Sequence, residues 1–387
     1  MNNMEKDKER LQHLESFSRC KSEVAPWMLN AQRLEEGWFI LKLCQFHQSR
    51  GDYSRNFNTE LVNGRKDIEQ LCKEAYEIFS TEVPQWIQHK CSVKGCSLGY
   101  ATLDGNEKLT RTMCSAPHSK VFIPSGGVSV MSCCPNTPTL GGNKMKGSKY
   151  CPSHKYLEDT QSQGDGSPLD LSNDPDNVRF MEFSPQDIHN NTDLQASVSN
   201  DGCRKPGNVT KYYDRTAGIA AILRPCGIVV NWAEMYSHES LTQMYLLIIF
   251  TFGRGKDVER LKYLGYDRAC GLHPFMQKLA EKNVMFAKYF LKHVHFLVDR
   301  FHVSKHTEKC CMPVANNPLC KYNPDLPEFK EVSGVKTECA EQAFRWLNKL
   351  KFSVRQMSRY RYNFFLYELI NTHNRLRELK LKSIGKL

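Results

Sequence analysis

Between residues 159 and 201 the chain runs through Asp, Ser, Gln, Asn and Gly with few large apolar side chains. Such a segment cannot bury enough surface to offset the entropy lost on ordering, and it predicts a flexible acidic and polar insertion over residues 156–210. Whatever folds here must be assembled from chain on both sides of that insertion. The expected organisation is a helical N-terminal region at 1–90, the first part of a core at 91–155, and the remainder of that core with basic helices at 211–387.

The flanking segments carry readable periodicities. Residues 29–45 place Leu34, Trp38, Phe39, Leu41, Leu43 and Cys44 close to an amphipathic helical pattern, and 67–79 repeat it with Ile68, Leu71, Ala75 and Ile78. Residues 98–103 are β-compatible, Asp104-Gly105-Asn106 reads as a turn, and 108–113 run back, which predicts a hairpin. Beyond the insertion, 219–223 and 228–232 flank Arg224-Pro225-Cys226-Gly227 as a second hairpin. Residues 240–250 read as helix, 261–266 and 295–298 as short buried strands around a helix at 274–291, and 339–382 as helix again. Hairpins followed by helix, strand, helix, strand and helix predict a mixed α/β domain.

The apolar run at 244–252 is too short to cross a bilayer, and the charged start at 1–10 is unlike a secretory signal, so no membrane partner is expected. A reducing compartment follows as the expectation. There, 16 cysteines point to metal ligation and buried thiols rather than to a disulfide framework. A net charge of +11 favours an acidic partner such as nucleic acid. The basic residues concentrate late in the chain. Arg345, Lys349, Lys351, Arg355, Arg359 and Arg361, interleaved with Tyr360, Tyr362, Phe364 and Phe365, could track a phosphate backbone; the same pattern also suits a solvated helix with an aromatic core face.

Three acids stand out by placement. Asp104 ends the first strand segment, Asp267 follows another, and Glu341 opens the C-terminal helical stretch. Carboxylates at strand ends can converge at a sheet edge, where hard divalent cations would offset their repulsion. Each also has a plainer role, Asp104 as a turn former and the other two as helix N-terminal charges.

Four blocks make the pattern specific: Asp104-Gly105-Asn106-Glu107-Lys108-Leu109, Tyr266-Asp267-Arg268-Ala269-Cys270, Phe301-His302 through Cys310, and Ala340-Glu341-Gln342-Ala343-Phe344-Arg345-Trp346. In this order they resemble the Kyakuja-Dileera-Zisupton (KDZ) transposases. The resemblance implies an RNase H-like mixed sheet with flanking helices and an inserted zinc-binding cysteine subdomain. It further implies Mg²⁺- or Mn²⁺-dependent DNA cleavage and strand transfer, with the catalytic triad on Asp104, Asp267 and Glu341. Asp299 competes for the second place and Glu338 for the third. The implied partners are transposon ends and target DNA in the nucleus, and an oligomer is compatible with that role. A transposase-derived zinc-binding factor without catalysis is the alternative.

Cysteine clusters also accompany these transposases. Cys91-x4-Cys96 and Cys151-x2-His154 form the preferred zinc set, with Cys114 and Cys133 or Cys134 as substitutes or a second site. His302-x3-His306-x3-Cys310 would share one helical face, with Cys270 or Cys320 as a fourth ligand; alternatively, His302 sits beside the acidic centre.

Overall fold

A computed structural model describes residues 31–52, 65–116, 119–123, 126–139, 147–158, 214–253, 256–303 and 320–387. The polar stretch at 159–201, His306 and Cys310 lie outside the described residues. The chain divides into two compact units, Met1–Ala75 and Tyr76–Leu387. In the first, helix α1 (Ala31–Gln48) buries Phe39, Leu43 and Phe46, and the part of helix α2 (Arg65–Phe79) up to Ala75 buries Ile68, Cys72 and Ala75. Both sets follow the four- then three-residue spacing of one helix face. Leu34 and Leu41 of α1 are exposed. Ile87, ahead of residue 90, belongs to the main apolar core of the second unit.

That unit is built on β1 (Tyr100–Asn106), β2 (Ser119–Ile123), β3 (Val128–Ser132), β4 (Gly218–Leu223), β5 (Val229–Met235), β6 (Tyr263–Gly265) and β7 (His295–Leu297). Strands β2 and β3 pair only with each other, while the rest form a five-stranded mixed sheet in the order β5-β4-β1-β6-β7. β1 pairs antiparallel with β4 and parallel with β6, and β7 continues the parallel side. The expected hairpin at 98–113 does not form. β1 runs straight through Asp104-Gly105-Asn106, whose partners are Ala221, Ala220 and Ile219 of β4. A local Asp-Gly turn preference has lost to pairing with a fully buried strand from beyond the insertion. The β4–β5 hairpin forms as expected.

Helix α3 (Leu241–Phe252) is apolar on most of its surface, starts at the N-cap Ser240, whose side chain accepts from Gln243 N–H, and packs into the core. The expected helix at 274–291 is two, α4 (Ala269–Glu281) and α5 (Met285–His293), separated where Asn283 takes a φ of +65°. A one-turn helix α6 (Arg300–Val303) follows β7, then α7 (Cys339–Leu347) and the long α8 (Arg359–Ser383). Asn374 of α8 serves the outer backbone edge of strand β5, accepting from Val229 N–H and donating to its carbonyl. Among the described residues no helix is long and apolar enough to cross a membrane.

Candidate active site and metal centre

The paired register of the parallel strands builds the acidic site. Thr102 of β1 lies opposite Gly265 of β6, and Gly265 opposite Leu297 of β7. Asp104, Asp267 and Asp299 each stand two residues beyond those partners. Side chains two apart on a strand share a face, so the aspartates form a row along the edge where the parallel strands point. This carboxyl edge is where ligands bind in open α/β sheets. Glu341 arrives from the first turn of α7, which packs against β1 with Cys339 Sγ donating to Thr102 Oγ1 at 3.4 Å.

Asp104, Asp267, Asp299, His302 and Glu341 line one small cleft. Within it the ligand atoms of Asp299, His302 and Glu341 lie within 4.8 Å of one another. His302 Nδ1 is 3.1 Å from Asp299 Oδ2. Burial, then Asp267, Glu239 and Glu341, push the Asp104 carboxyl well above the usual carboxylate range. Glu341 is raised by burial and then by Asp299, and its Oε2 is buried without a hydrogen-bond partner. Crowded carboxylates that resist ionisation are the electrostatic preparation for a cation.

The three acids expected from the sequence thus meet, and Asp299 joins them instead of replacing Asp267. Glu338 is exposed and outside the cleft. Glu239, in the loop between β5 and α3, escaped the sequence reading. It accepts from Tyr266 O–H at 2.7 Å, and burial followed by Asp267 raises its carboxyl to about 7. Only its proximity to Asp104 and Asp267 in space reveals it, because no motif surrounds it.

The soft ligands sort differently from the expected set. Cys151 and His154 join Cys114 and Cys134, all buried, with their ligand atoms within 4.8 Å of one another. Cys91 and Cys96 lie elsewhere, in a cluster with Cys226. Cys133 packs with Met113 and Tyr236. Spacing along the chain could not reveal this partition, since it depends on which loops meet.

The first group has the dimensions of a metal tetrahedron. Bonds of about 2.3 Å to sulfur and 2.1 Å to nitrogen give S···S edges of about 3.8 Å and S···N edges of about 3.6 Å. Cys134 Sγ and Cys151 Sγ are 3.7 Å apart, far beyond a disulfide bond; His154 Nδ1 is 3.3 Å from Cys151 Sγ and 3.6 Å from Cys114 Sγ. This buried Cys/His cluster could hold a metal such as zinc.

A model of the Kyakuja-Dileera-Zisupton transposase matches residues 99–374. The chain belongs to the KDZ transposase family. No curated protein and no solved structure matches it. The matched span contains every acid of the cleft and the whole Cys114–His154 cluster, so the KDZ relationship covers both centres.

Of the basic residues in this KDZ chain, Arg345, Lys349, Lys351 and Arg355 are exposed near the end of α7 and just after it. Arg359 and Arg361 are only 4% and 8% exposed, which corrects their assignment as phosphate contacts. The Arg359 guanidinium instead lies 5.3 Å from the ring centroids of both Tyr76 and Tyr360. Cys270 and Cys320, considered as partners of His302, are buried in the main apolar core.

Proposed function

We propose that this KDZ chain is a metal-dependent DNA transposase with an RNase H-like core, cleaving DNA and transferring strands. The observation that carries this reading is the convergence of Asp104, Asp267 and Glu341, from three distant segments, on one cleft at the carboxyl edge of parallel strands. An antiparallel meander joined to two further parallel strands supports the fold assignment.

The donor set fits a hard divalent cation such as Mg²⁺ or Mn²⁺: it is rich in carboxylate oxygen, its carboxyls repel one another, and Glu341 Oε2 lacks a protein partner. Asp104, Asp267, Asp299 and Glu341 would hold such ions. When bound, a pair of ions lowers the pKa of an attacking hydroxyl and stabilises the leaving oxygen in phosphoryl transfer. Asp299 orients His302 toward the cleft, where its ring can meet a phosphate. Arg345, one helical turn beyond Glu341, together with Lys349, Lys351 and Arg355, offers exposed cations to the DNA backbone. The Cys114, Cys134, Cys151 and His154 cluster holds structural zinc and stiffens the chain that follows β1.

The test is cleavage of transposon-end DNA with and without Mn²⁺. Asp104→Asn, Asp267→Asn and Glu341→Gln should each lose at least about 100-fold in rate while keeping the fold by circular dichroism. Undiminished cleavage by all three would refute the assignment. Salt-dependent DNA binding with no metal-dependent cleavage in the wild type would make the protein a non-catalytic, transposase-derived binding factor.

A further inference from the structure

A second group of soft ligands sits at the other end of the sheet. β4 runs antiparallel to β1 with Leu223 opposite Thr102, so the turn after β4 lies beyond the start of β1, away from Asp104. That turn carries Cys226, which is 2% exposed. The ligand atoms of His89, Cys91 and Cys226 lie within 4.8 Å of one another, and Cys226 Sγ is 3.5 Å from His89 Nε2. Cys96 packs in the same cluster as Cys91 and Cys226 and brings a third sulfur to it.

We propose that His89, Cys91, Cys96 and Cys226 form a second, structural zinc site that staples the segment ahead of β1 to the β4–β5 turn. Three sulfurs and one imidazole nitrogen make a complete tetrahedral donor set, and the S···N separation matches the edge of about 3.6 Å derived above. None of the four belongs to the Cys114–His154 cluster or to the acid cleft.

The surroundings are those of a ligand shell. The second ring nitrogen of His89, Nδ1, lies 3.4 Å from Glu378 Oε1 of α8, the carboxylate–histidine arrangement that orients a metal-bound imidazole. The chain also bends sharply beside two ligands, with Gly95 before Cys96 at φ +95° and Gly227 after Cys226 at φ +89°. A disulfide between any two of the cysteines would strand the third sulfur and the imidazole beside it, whereas one zinc ion engages all four.

The site would tie together three parts of the unit: residues 89–96, the β4–β5 turn, and α8, whose Glu378 faces His89 and whose Arg377 donates to the Cys226 carbonyl at 3.0 Å. Its position predicts a structural ion with no part in the chemistry at the acid cleft.

The experiment is a zinc count on the full chain, purified under reducing conditions with zinc and dialysed free of excess metal. Cys226→Ser should hold one equivalent fewer than wild type, whatever the occupancy of the other cluster. An unchanged count in a folded Cys226→Ser protein would overturn the proposal, as would a disulfide among Cys91, Cys96 and Cys226 in the zinc-loaded wild type. Should Cys226→Ser fail to fold, Glu378→Gln leaves all four ligands in place. Competition with a chromophoric chelator should then show one zinc bound about 10–100-fold more weakly, and unchanged affinity for every zinc would overturn the site.

Discussion

Replacing Glu234 with Gln tests whether a buried ion pair holds the second unit together. Arg111, just after β1, is fully buried, and Glu234 of β5 is 7% exposed. The Glu234 carboxylate accepts four hydrogen bonds, from Arg111 Nε at 2.7 Å and Nη2 at 3.1 Å, from Tyr236 O–H at 3.0 Å and from Asn363 Nδ2 at 3.1 Å. Arg111 Nη1 also donates to the Pro135 carbonyl at 2.7 Å, so the pair joins the cysteine subdomain, the sheet and α8. A glutamine amide can keep its oxygen toward the three donors at Oε2, but its NH₂ then faces Arg111 Nε. That loses a charge-assisted hydrogen bond of about 1.5–3 kcal/mol and leaves a buried donor unsatisfied at about 1–3 kcal/mol. The sum agrees with the roughly 3–5 kcal/mol typical of breaking a buried pair. Tyr236→Phe removes only one of three donors to Oε2 and should cost about 1 kcal/mol. Urea unfolding followed by circular dichroism measures both. A Glu234→Gln protein within about 1 kcal/mol of wild type would refute the reasoning, since the Arg111 charge would then need no counter-ion.

Glu239→Gln should stabilise the metal-free protein in a pH-dependent way. The folded carboxyl titrates at about 7 against an ordinary 4.5, so the folded state holds the proton more tightly and wild-type stability falls as pH rises between those values. The gain should be absent below about pH 4.5 and reach at most about 3 kcal/mol above about pH 7; a gap that does not change with pH would count against it. Gly218 has a φ of +99°, and an added Cβ would run into the Asn106 carbonyl of β1, so Gly218→Ala should cost more than about 3 kcal/mol or prevent folding, as read by thermal melting. Cys134→Ser should release one zinc and lower the melting temperature. Structural zinc contributes on the order of 10–16 kcal/mol in peptide systems, so an unchanged melt and zinc count would remove this cluster as a metal site.

The helical character of α1 and α2 and the β4–β5 hairpin were legible along the chain because each depends on neighbours a few residues apart, whereas Leu34 and Leu41, read into the apolar face of α1, are exposed. The acids were legible for a related reason. A carboxylate at the end of a strand declares itself locally, and the short KDZ blocks around Asp104, Asp267 and Glu341 added the context that spacing lacks. Asp299 obeys the same two-residue offset as Asp267, yet only the β6–β7 register shows that both face one cleft.

Other features depended on contacts between distant segments. Asp104-Gly105-Asn106 carries a turn signal, but the pairing of β1 with β4 overrode it. Cys91 and Cys96 were visible as candidate ligands, whereas the approach of Cys226 to His89 and Cys91 depends on a turn from beyond the insertion closing against the start of β1. The burial of Arg111, Arg359 and Arg361 was equally hidden, since a cation's surroundings are set by which elements pack over it. Local pattern determines what an element can be; burial and hydrogen-bond satisfaction, which are properties of the assembled chain, decide which partners it takes.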